Sequence, residues 1–514
     1  MTPEDAATAS APTADRAEVA IIGAGPAGLA AAAEASRFSR NVVLIDAGSR
    51  VGGQYWRHRP EDALPGAAAP PWHHGWSAFT ALREQLEEGI RTDRITHLPG
   101  THVWGLDRLE IGGLSVRMAS AQESAAEQQR IRTLHADAVV LAPGAYDRQL
   151  PVPGWTIPGV MAAGGIQAFA KTQGIVPGQR ILLAGTGPFL LAAAATALHA
   201  GAEVVAVCES SDLLGWVPRG ASAALVPSKA AEGAAFASLL ARHRVPYLRR
   251  TVITEILGEQ QVEAVRVARA DTTGAARPGT ERLIEDVDLV GLGWGFVPQS
   301  ELLLQSGART RLDVDGSLVG VVDGSQASTV PGLHLAGEIT GVTGAVGAVA
   351  EGRIAGEAAA AHALGQSAAP DQAQRAARAR HRIFARAMHR AHPAPGGWQS
   401  WLREDTTVCR CEDVPYGQIR EARDELDLPD PRSLKGETRA GMGPCQGRIC
   451  GFAMTCLAGA TVDPEDAARQ VSHRPLALPL TLGALMDDEQ TVPDTETGPA
   501  EVVAQPLPSS QERA

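Results

Sequence analysis

Cysteine is almost missing from this sequence. Six of the 514 residues are cysteine, and Cys208 alone precedes Cys409. The N-terminal stretch MTPEDAATASAPTADRA has neither a basic n-region nor an apolar h-region, so no secretory signal is expected. Both features argue against a disulfide scaffold and for a reducing, cytoplasmic compartment, in which clustered cysteines serve a metal or redox site. Lysine is scarcer still: Lys171, Lys229 and Lys435 stand among 46 basic residues. With so much Ala and Gly, this reads as a base-composition bias, so Ala-rich stretches carry little functional weight. No run of about 18 apolar residues is free of charges and turn formers, so no transmembrane helix is expected. A formal net charge of -12 argues against a nucleic-acid surface. The length suffices for two to four domains with a sizeable core.

The body opens with AEVAIIGAGPAGLAAAAEASRFSRNVVLIDAGSRVGGQ. Val19–Ile22 and Val42–Ile45 are short apolar strands. Between them Gly23, Gly25 and Gly28 make G-x-G-x-x-G, with Pro26 and Ala27 opening a helix, and Asp46 ends the second strand. Strand, glycine turn, helix, strand and acid is the order a dinucleotide needs. Gly23 permits the turn, Gly25 lets backbone reach the pyrophosphate, and Gly28 lets helix pack on strand. The helix N-terminus meets the phosphates, and Asp46 is placed to accept from ribose hydroxyls. Gly53 and Gln54 close this segment, and Gly144, after the buried strand Ala138–Leu141, lets backbone run beside a ligand. Further on, STVPGLHLAGEITGVTGAVGAVAEGR gives a strand, the turn Gly337-Glu338 and a long helix starting near Gly344. A carboxylate there can accept from the ribityl chain of a flavin, with the helix N-terminus facing the ring. These residues are assigned to FAD.

A second unit, GQRILLAGTGPFLLAAAATALHAGAEVVAVCES, repeats the plan with Gly185, Gly187 and Glu209. Leu190 stands at the third glycine position, which requires the helix to move out or the strand to repack. If the unit is occupied, Glu209 favours NAD or another adenine nucleotide with an unphosphorylated ribose. An empty or remodelled nucleotide site is the alternative. No C-x₂-C or C-x₄-C follows directly on the first glycine motif, and the second unit contains only Cys208. That excludes a redox-active disulfide. No paired His or carboxylate constellation offers a substrate acid and base, so catalytic residues are not assigned.

The remaining cysteines form C-x-C, 33 residues, then C-x₄-C: Cys409, Cys411, Cys445 and Cys450. Four thiolates can hold a [2Fe–2S] cluster or a zinc ion, and a C-x-C pair suits the cluster better. Glycines around the second pair let N–H groups approach sulfur, and Arg410 and Arg448 offset the cluster's negative charge. The intervening segment is expected to be helical from Asp413 and Pro415, with Ile419, Ala422 and Leu426 on one face. Cys456 and Cys208 are read as small buried residues.

These parts imply an α/β, two-dinucleotide-binding-domain flavoprotein with a small helical iron–sulfur domain. The expected boundaries are a disordered tail over 1–17, a FAD-binding domain over 18–155 and 291–366, and an inserted Rossmann domain over 156–290. A helical linker over 367–400, the cluster domain over 401–468 and a Pro/acid-rich tail over 469–514 complete the chain.

The segments APGAYDRQLPVPGWTIPGVMAAGGIQAFAKTQG, LLAGTGPFLL, GLGWGFVPQSELL, VCRCEDV and GMGPCQGRICG carry a resemblance. From about Val19 to Leu485 the chain resembles the large flavoprotein component of hetero-oligomeric oxidoreductases that act on amines and imino acids. That family includes the B component of hydrogen cyanide synthase, the A component of opine oxidase, and the α components of dye-linked proline and hydroxyproline dehydrogenases. VCRCEDV and GMGPCQGRICG look like a bacterioferritin-associated-ferredoxin-type [2Fe–2S] domain. The resemblance implies a partner subunit of the D-amino-acid-oxidase type with its own FAD, and a small ferredoxin-like subunit. It implies FMN at a subunit interface in some relatives, and NAD or ATP in the first site of others. Electrons would pass to an acceptor such as a quinone, with any membrane contact made through a partner. One departure is Glu338, where many flavoproteins of this class have Asp. The runner-up reading is a self-contained NAD(P)H-dependent reductase, and the third a non-catalytic redox-sensing protein.

Overall fold

The computed structural model describes residues 16–60, 73–110, 112–120, 131–459, 461–474 and 476–489. The expected N-terminal tail, apart from its last two residues, and the segment after 489 lie outside them.

Two sheets dominate, the first mixed and the second parallel. The first runs β3-β2-β1-β6-β5-β4, with β1 (Arg16–Ile22), β2 (Val42–Ile45), β3 (Ile95–Leu98), β4 (Thr101–Arg108), β5 (Leu114–Ser120) and β6 (Ile131–Leu141). β1, β2, β3 and β6 are parallel, whereas β4 and β5 form an antiparallel hairpin added to β6. The eleven-residue β6 serves both halves: its first part pairs with β5, and its end pairs with the strand Leu333–Leu335. Continuous apolar runs such as Val42–Ile45, buried throughout, are the signature of strands covered on both faces. Helix α1 (Pro26–Ala35) and the helix Ala345–Ala363 lie on one of these faces. They approach so closely that a Cβ at Gly352 would meet the Ala27 carbonyl oxygen at 2.1 Å, and one at Gly356 that of Ala31 at 2.3 Å.

The second sheet holds β7 (Val160–Ala162), β8 (Arg180–Gly185), β9 (Glu203–Glu209), β10 (Tyr247–Arg249) and the strand Leu289–Gly293, all parallel. The expected division between residues 290 and 291 cuts that last strand, which stays hydrogen-bonded to β8 and β7 along its length. The chain rejoins the first sheet only at Leu333. A missing glycine is made good here. Leu190, at the third position of the second glycine turn, is fully buried on the helix Phe189–His199. Its side chain packs over Gly293 of the neighbouring strand, where a Cβ would stand 3.0 Å from the leucine Cδ2.

The cysteine segment is fused to this second unit. One apolar core joins Trp155, Trp294, Val290 and Val252 to Trp401, Cys409, Ile419, Cys450 and Met454. Trp401 stacks on Trp294 and donates to the Pro151 carbonyl at 2.9 Å; Trp155 donates to the Thr407 carbonyl at 2.6 Å. Helix Tyr416–Asp424 buries Ile419 and Ala422 as expected. Leu426 does not share that face: it lies past the helix end and is 53% exposed, with Leu428 packing inward instead. Asp413 has φ 51° and starts no helix; Pro415 is the N-cap. Trp401→Ala leaves a cavity and an unpaired carbonyl, so thermal or urea unfolding is expected to show a loss of about 3–5 kcal/mol. A loss under about 1 kcal/mol would mean that the two parts are not fused through this core. Among the described residues no helix is long and apolar enough to cross a membrane.

Candidate functional site

A cavity of about 2100 Å³ lies where the two sheets and the cysteine segment meet. Gly23, Gly25, Pro26, Ala27, Asp46, Gly53, Gln54, Gly144, Gly337 and Glu338 all line it. Gly28 does not; it serves packing, since a Cβ there would stand 1.7 Å from the Gly23 carbonyl oxygen. Gly23 itself has φ 99°, and a Cβ would strike the Ala142 carbonyl at 2.3 Å, so the turn admits only glycine. Gly144 has φ 84° and nothing within 4 Å of its missing Cβ, which leaves bare backbone beside the cavity. Asp46 accepts from the Gly48 N–H at 3.0 Å, and burial raises its carboxyl above the usual range.

Glu338 sits in a second carboxylate's field. It is half-buried at the N-terminus of helix Ala345–Ala363, with its Oε2 shielded from solvent and without a partner. Burial, then the neighbouring Glu351, pushes its pKa up to about 8 against a hydrogen bond from the Gly344 N–H. Glu351, 0% exposed, is fully engaged instead. It accepts from the Gly337 N–H at 3.0 Å, from Thr340 Oγ1 at 2.8 Å and from Arg382 Nε at 2.9 Å. An orphaned oxygen beside the cavity, a glycine turn and an open backbone at Gly144 are what a flavin's pyrophosphate and ribityl chain require, so the residues present fit that group.

The second unit differs. Gly187 lines the same cavity, but Gly185 and Glu209 do not. Glu209 is 1% exposed, and its carboxylate is held inside the protein. It accepts from Thr186 Oγ1 at 3.1 Å, the Gly187 N–H at 2.9 Å, the Ser211 N–H at 2.9 Å and Tyr247 Oη at 3.4 Å. The Gly187 amide is the one expected to face a pyrophosphate. His392, 3.6 Å from Glu209, lies over the turn and accepts from Trp216 Nε1 at 2.9 Å. The expected offer of Glu209 to a ribose is therefore not made, because the carboxylate turns in to the glycine turn.

The four motif cysteines converge as two pairs, Cys409 with Cys450 and Cys411 with Cys445, whose thiols hydrogen-bond. Cys409 also accepts from the Gly441 N–H at 3.4 Å. The Cys450 thiol, then amides of Gly441, Glu412 and Cys411, bring Cys409 down to about 5 despite burial; the shared bond drives Cys450 up. Cys409 and Cys450 are buried, Cys445 is half-buried and Cys411 is exposed. Among the described residues no three His, Cys, Asp or Glu side chains form a ready site for a single metal ion. Two thiol pairs with amide donors on sulfur fit a two-iron cluster, which takes four thiolates. Cys456 and Cys208 stand apart, the latter fully buried with its thiol raised to about 12 by desolvation.

Several cavity residues have no motif to announce them. Lys171 is 6% exposed, and its Nζ donates to the Tyr55 carbonyl at 3.1 Å. Burial and Arg57 pull it down to about 8. Its one signal in the sequence is rarity, as one of three lysines. Asp147, raised to about 6 by burial, accepts from the Gly164 N–H at 3.2 Å. Tyr146, Glu301 and Arg448 line the cavity too, and Arg448 belongs at the same time to the cysteine loop, donating to the Cys445 carbonyl at 3.2 Å.

Residues 17–365 match the pyridine nucleotide-disulphide oxidoreductase family, and residues 407–455 match the BFD-like [2Fe-2S] binding domain. The chain is 32% identical to the A component of opine oxidase from Agrobacterium tumefaciens, covering 85% of this chain and 84% of that one. It is 32% identical to HcnB, the B component of hydrogen cyanide synthase from Pseudomonas aeruginosa, over 86% of this chain and 92% of that one. Among solved structures, an L-proline dehydrogenase from P. horikoshii superposes with a TM-score of 0.59 at 18% identity, over 91% of this chain and 79% of that one; this likeness concerns the fold.

Proposed function

The chain belongs to the pyridine nucleotide-disulphide oxidoreductase family and to the opine oxidase A/hydrogen cyanide synthase B group within it, with a BFD-like [2Fe-2S] binding domain, and from this we propose that it is the electron-relaying subunit of a hetero-oligomeric dehydrogenase acting on an amino acid, an opine or glycine. A D-amino-acid-oxidase-like partner with its own FAD oxidises the substrate. This chain passes the electrons to an acceptor such as a quinone. When bound, a flavin takes an electron pair and gives it up singly, while a [2Fe–2S] cluster carries one electron at a time.

The observation that carries the reading is that Arg448 and Ile449, between Cys445 and Cys450, are also wall residues of the cavity that holds the first glycine turn. Gly23, Gly25, Asp46, Gly144 and Glu338 would hold FAD, and Cys409, Cys411, Cys445 and Cys450 the cluster. The exposed Cys411 gives the cage a solvent edge for an electron partner, while Cys409 and Cys450 face the core. Glu209's internal bonds speak against a self-contained NAD(P)H reductase, because the second unit offers no free acid to a ribose.

Co-purification of the chain with its genomic neighbours tests the proposal. Flavin absorbance and a cluster signal in electron paramagnetic resonance are expected, with bleaching by a candidate amino acid only when the partner is present. Mixing the isolated chain with NADH is expected to leave the flavin oxidised over minutes. Rapid bleaching by NADH alone would put the reductase in its place.

A further inference from the structure

Two guanidiniums share one carboxylate behind the cysteine loop. Glu301 Oε1 lies 2.9 Å from Arg448 Nε and 3.2 Å from Arg474 Nη1. The side chains are 7%, 11% and 8% exposed in that order. Arg448 Nε also donates to Tyr146 Oη at 2.9 Å. Arg474 reaches the cage from outside the cysteine motif: its Nε donates to the Gln446 carbonyl at 2.8 Å, its Nη2 reaches the same oxygen, and its Nη1 donates to the Ser472 carbonyl at 3.1 Å. Gln446 follows Cys445 directly and is held at φ 51°. A guanidinium stays protonated at any working pH, so the group carries one buried positive charge that Glu301 leaves unbalanced.

Other charges near the cage do not cancel it. Arg148, over the Phe452 ring at 4.1 Å, is balanced by Asp315 at 2.9 Å. Arg439 pairs with Glu412 at 2.9 Å at the surface. Arg410, which the sequence pointed to, is exposed and lies over the Trp155 ring at 5.1 Å, where solvent screens it. Two ferric ions, two sulfides and four thiolates sum to a dianion, and one added electron makes a trianion. A fixed buried cation favours the more negative state.

We propose that Arg474 is a positioning residue for the relay, raising the cluster's potential through its unbalanced charge on the Cys445–Gln446 loop, and that Glu301 opposes it. This rests on the reading of Cys409, Cys411, Cys445 and Cys450 as a [2Fe–2S] cage. The two residues therefore act in opposite directions, whereas a merely structural role would move both variants the same way.

The test is a mediated redox titration of the full iron-loaded chain, followed by electron paramagnetic resonance. Arg474→Met is expected to lower the reduced-to-oxidised ratio at a fixed poise by about tenfold, equivalent to about 59 mV for one electron. Glu301→Gln is expected to raise it by a similar factor, and Arg474→Lys to stay near the parent. Wild-type protein with no cluster signal sinks the iron–sulfur reading, and this proposal with it. A normal wild-type signal with both variants unshifted, shifted the same way or both stripped of iron overturns this proposal alone.

Discussion

Cys409→Ser and Cys450→Ser are each expected to abolish cluster binding, with iron falling from about two atoms per chain to a small fraction of that. Both thiols are buried and face each other, so no other side chain can swing in to replace either one. Serine keeps the shape but offers a hard hydroxyl where a soft thiolate is needed. The amide donors that stabilise the Cys409 thiolate, Gly441 among them, would then have a weaker acceptor. Cys208→Ser and Cys456→Ser are expected to retain iron, because neither thiol faces the motif cysteines. Flavin absorbance should survive in all four variants, since the glycine turn and Glu338 belong to other elements. Iron and absorbance on one purified sample decide the matter. A full complement of iron in Cys409→Ser would remove that residue from the cage.

The second large effect concerns Glu338 and pH in the flavin-free chain. Its folded pKa, about 8, lies above the carboxyl's ordinary value of 4.5. Between those values the folded state holds a proton that the unfolded state releases, so this group's contribution to stability is full below about pH 4.5 and is lost as pH rises to about 8. Other groups titrate in the same range. His334, buried and lowered to about 4, works in the opposite sense between about pH 4 and 6.5. Asp147, raised to about 6, works in the same sense below that pH. Comparing the wild type with Glu338→Gln at each pH cancels these contributions. The variant is expected to gain on the wild type as pH rises from 6.5 to 8, by about 1–3 kcal/mol in urea unfolding. A constant difference across that range would show that Glu338 is not the titrating group.

Legibility in the sequence followed the range of the interactions. The strands Val19–Ile22 and Val42–Ile45, the turn at Gly23 and the helix from Pro26 were readable because period, glycine and apolar run are local signals. The spacing of the four cysteines was equally local. Leu426 failed because the face was extrapolated past the helix end at Asp424. The division at residue 290 failed because the apolar strand Leu289–Gly293 carries no mark of the sheet it will join.

Two Rossmann-like units, a glycine turn of the flavoprotein kind in the first and a [2Fe–2S]-type cysteine spacing follow from residue order alone, since each rests on the spacing of a few residues along the chain. How those parts pack against one another was decided in three dimensions. Folding turned Glu209 inward onto its own glycine turn, set Glu338 beside Glu351, moved the compensation for Leu190 to Gly293, and brought Glu301 and Arg474 together behind Cys445. These outcomes depend on side-chain direction and, for Leu190 with Gly293 and Glu301 with Arg474, on contacts spanning more than a hundred residues, for which a linear pattern has no period to read.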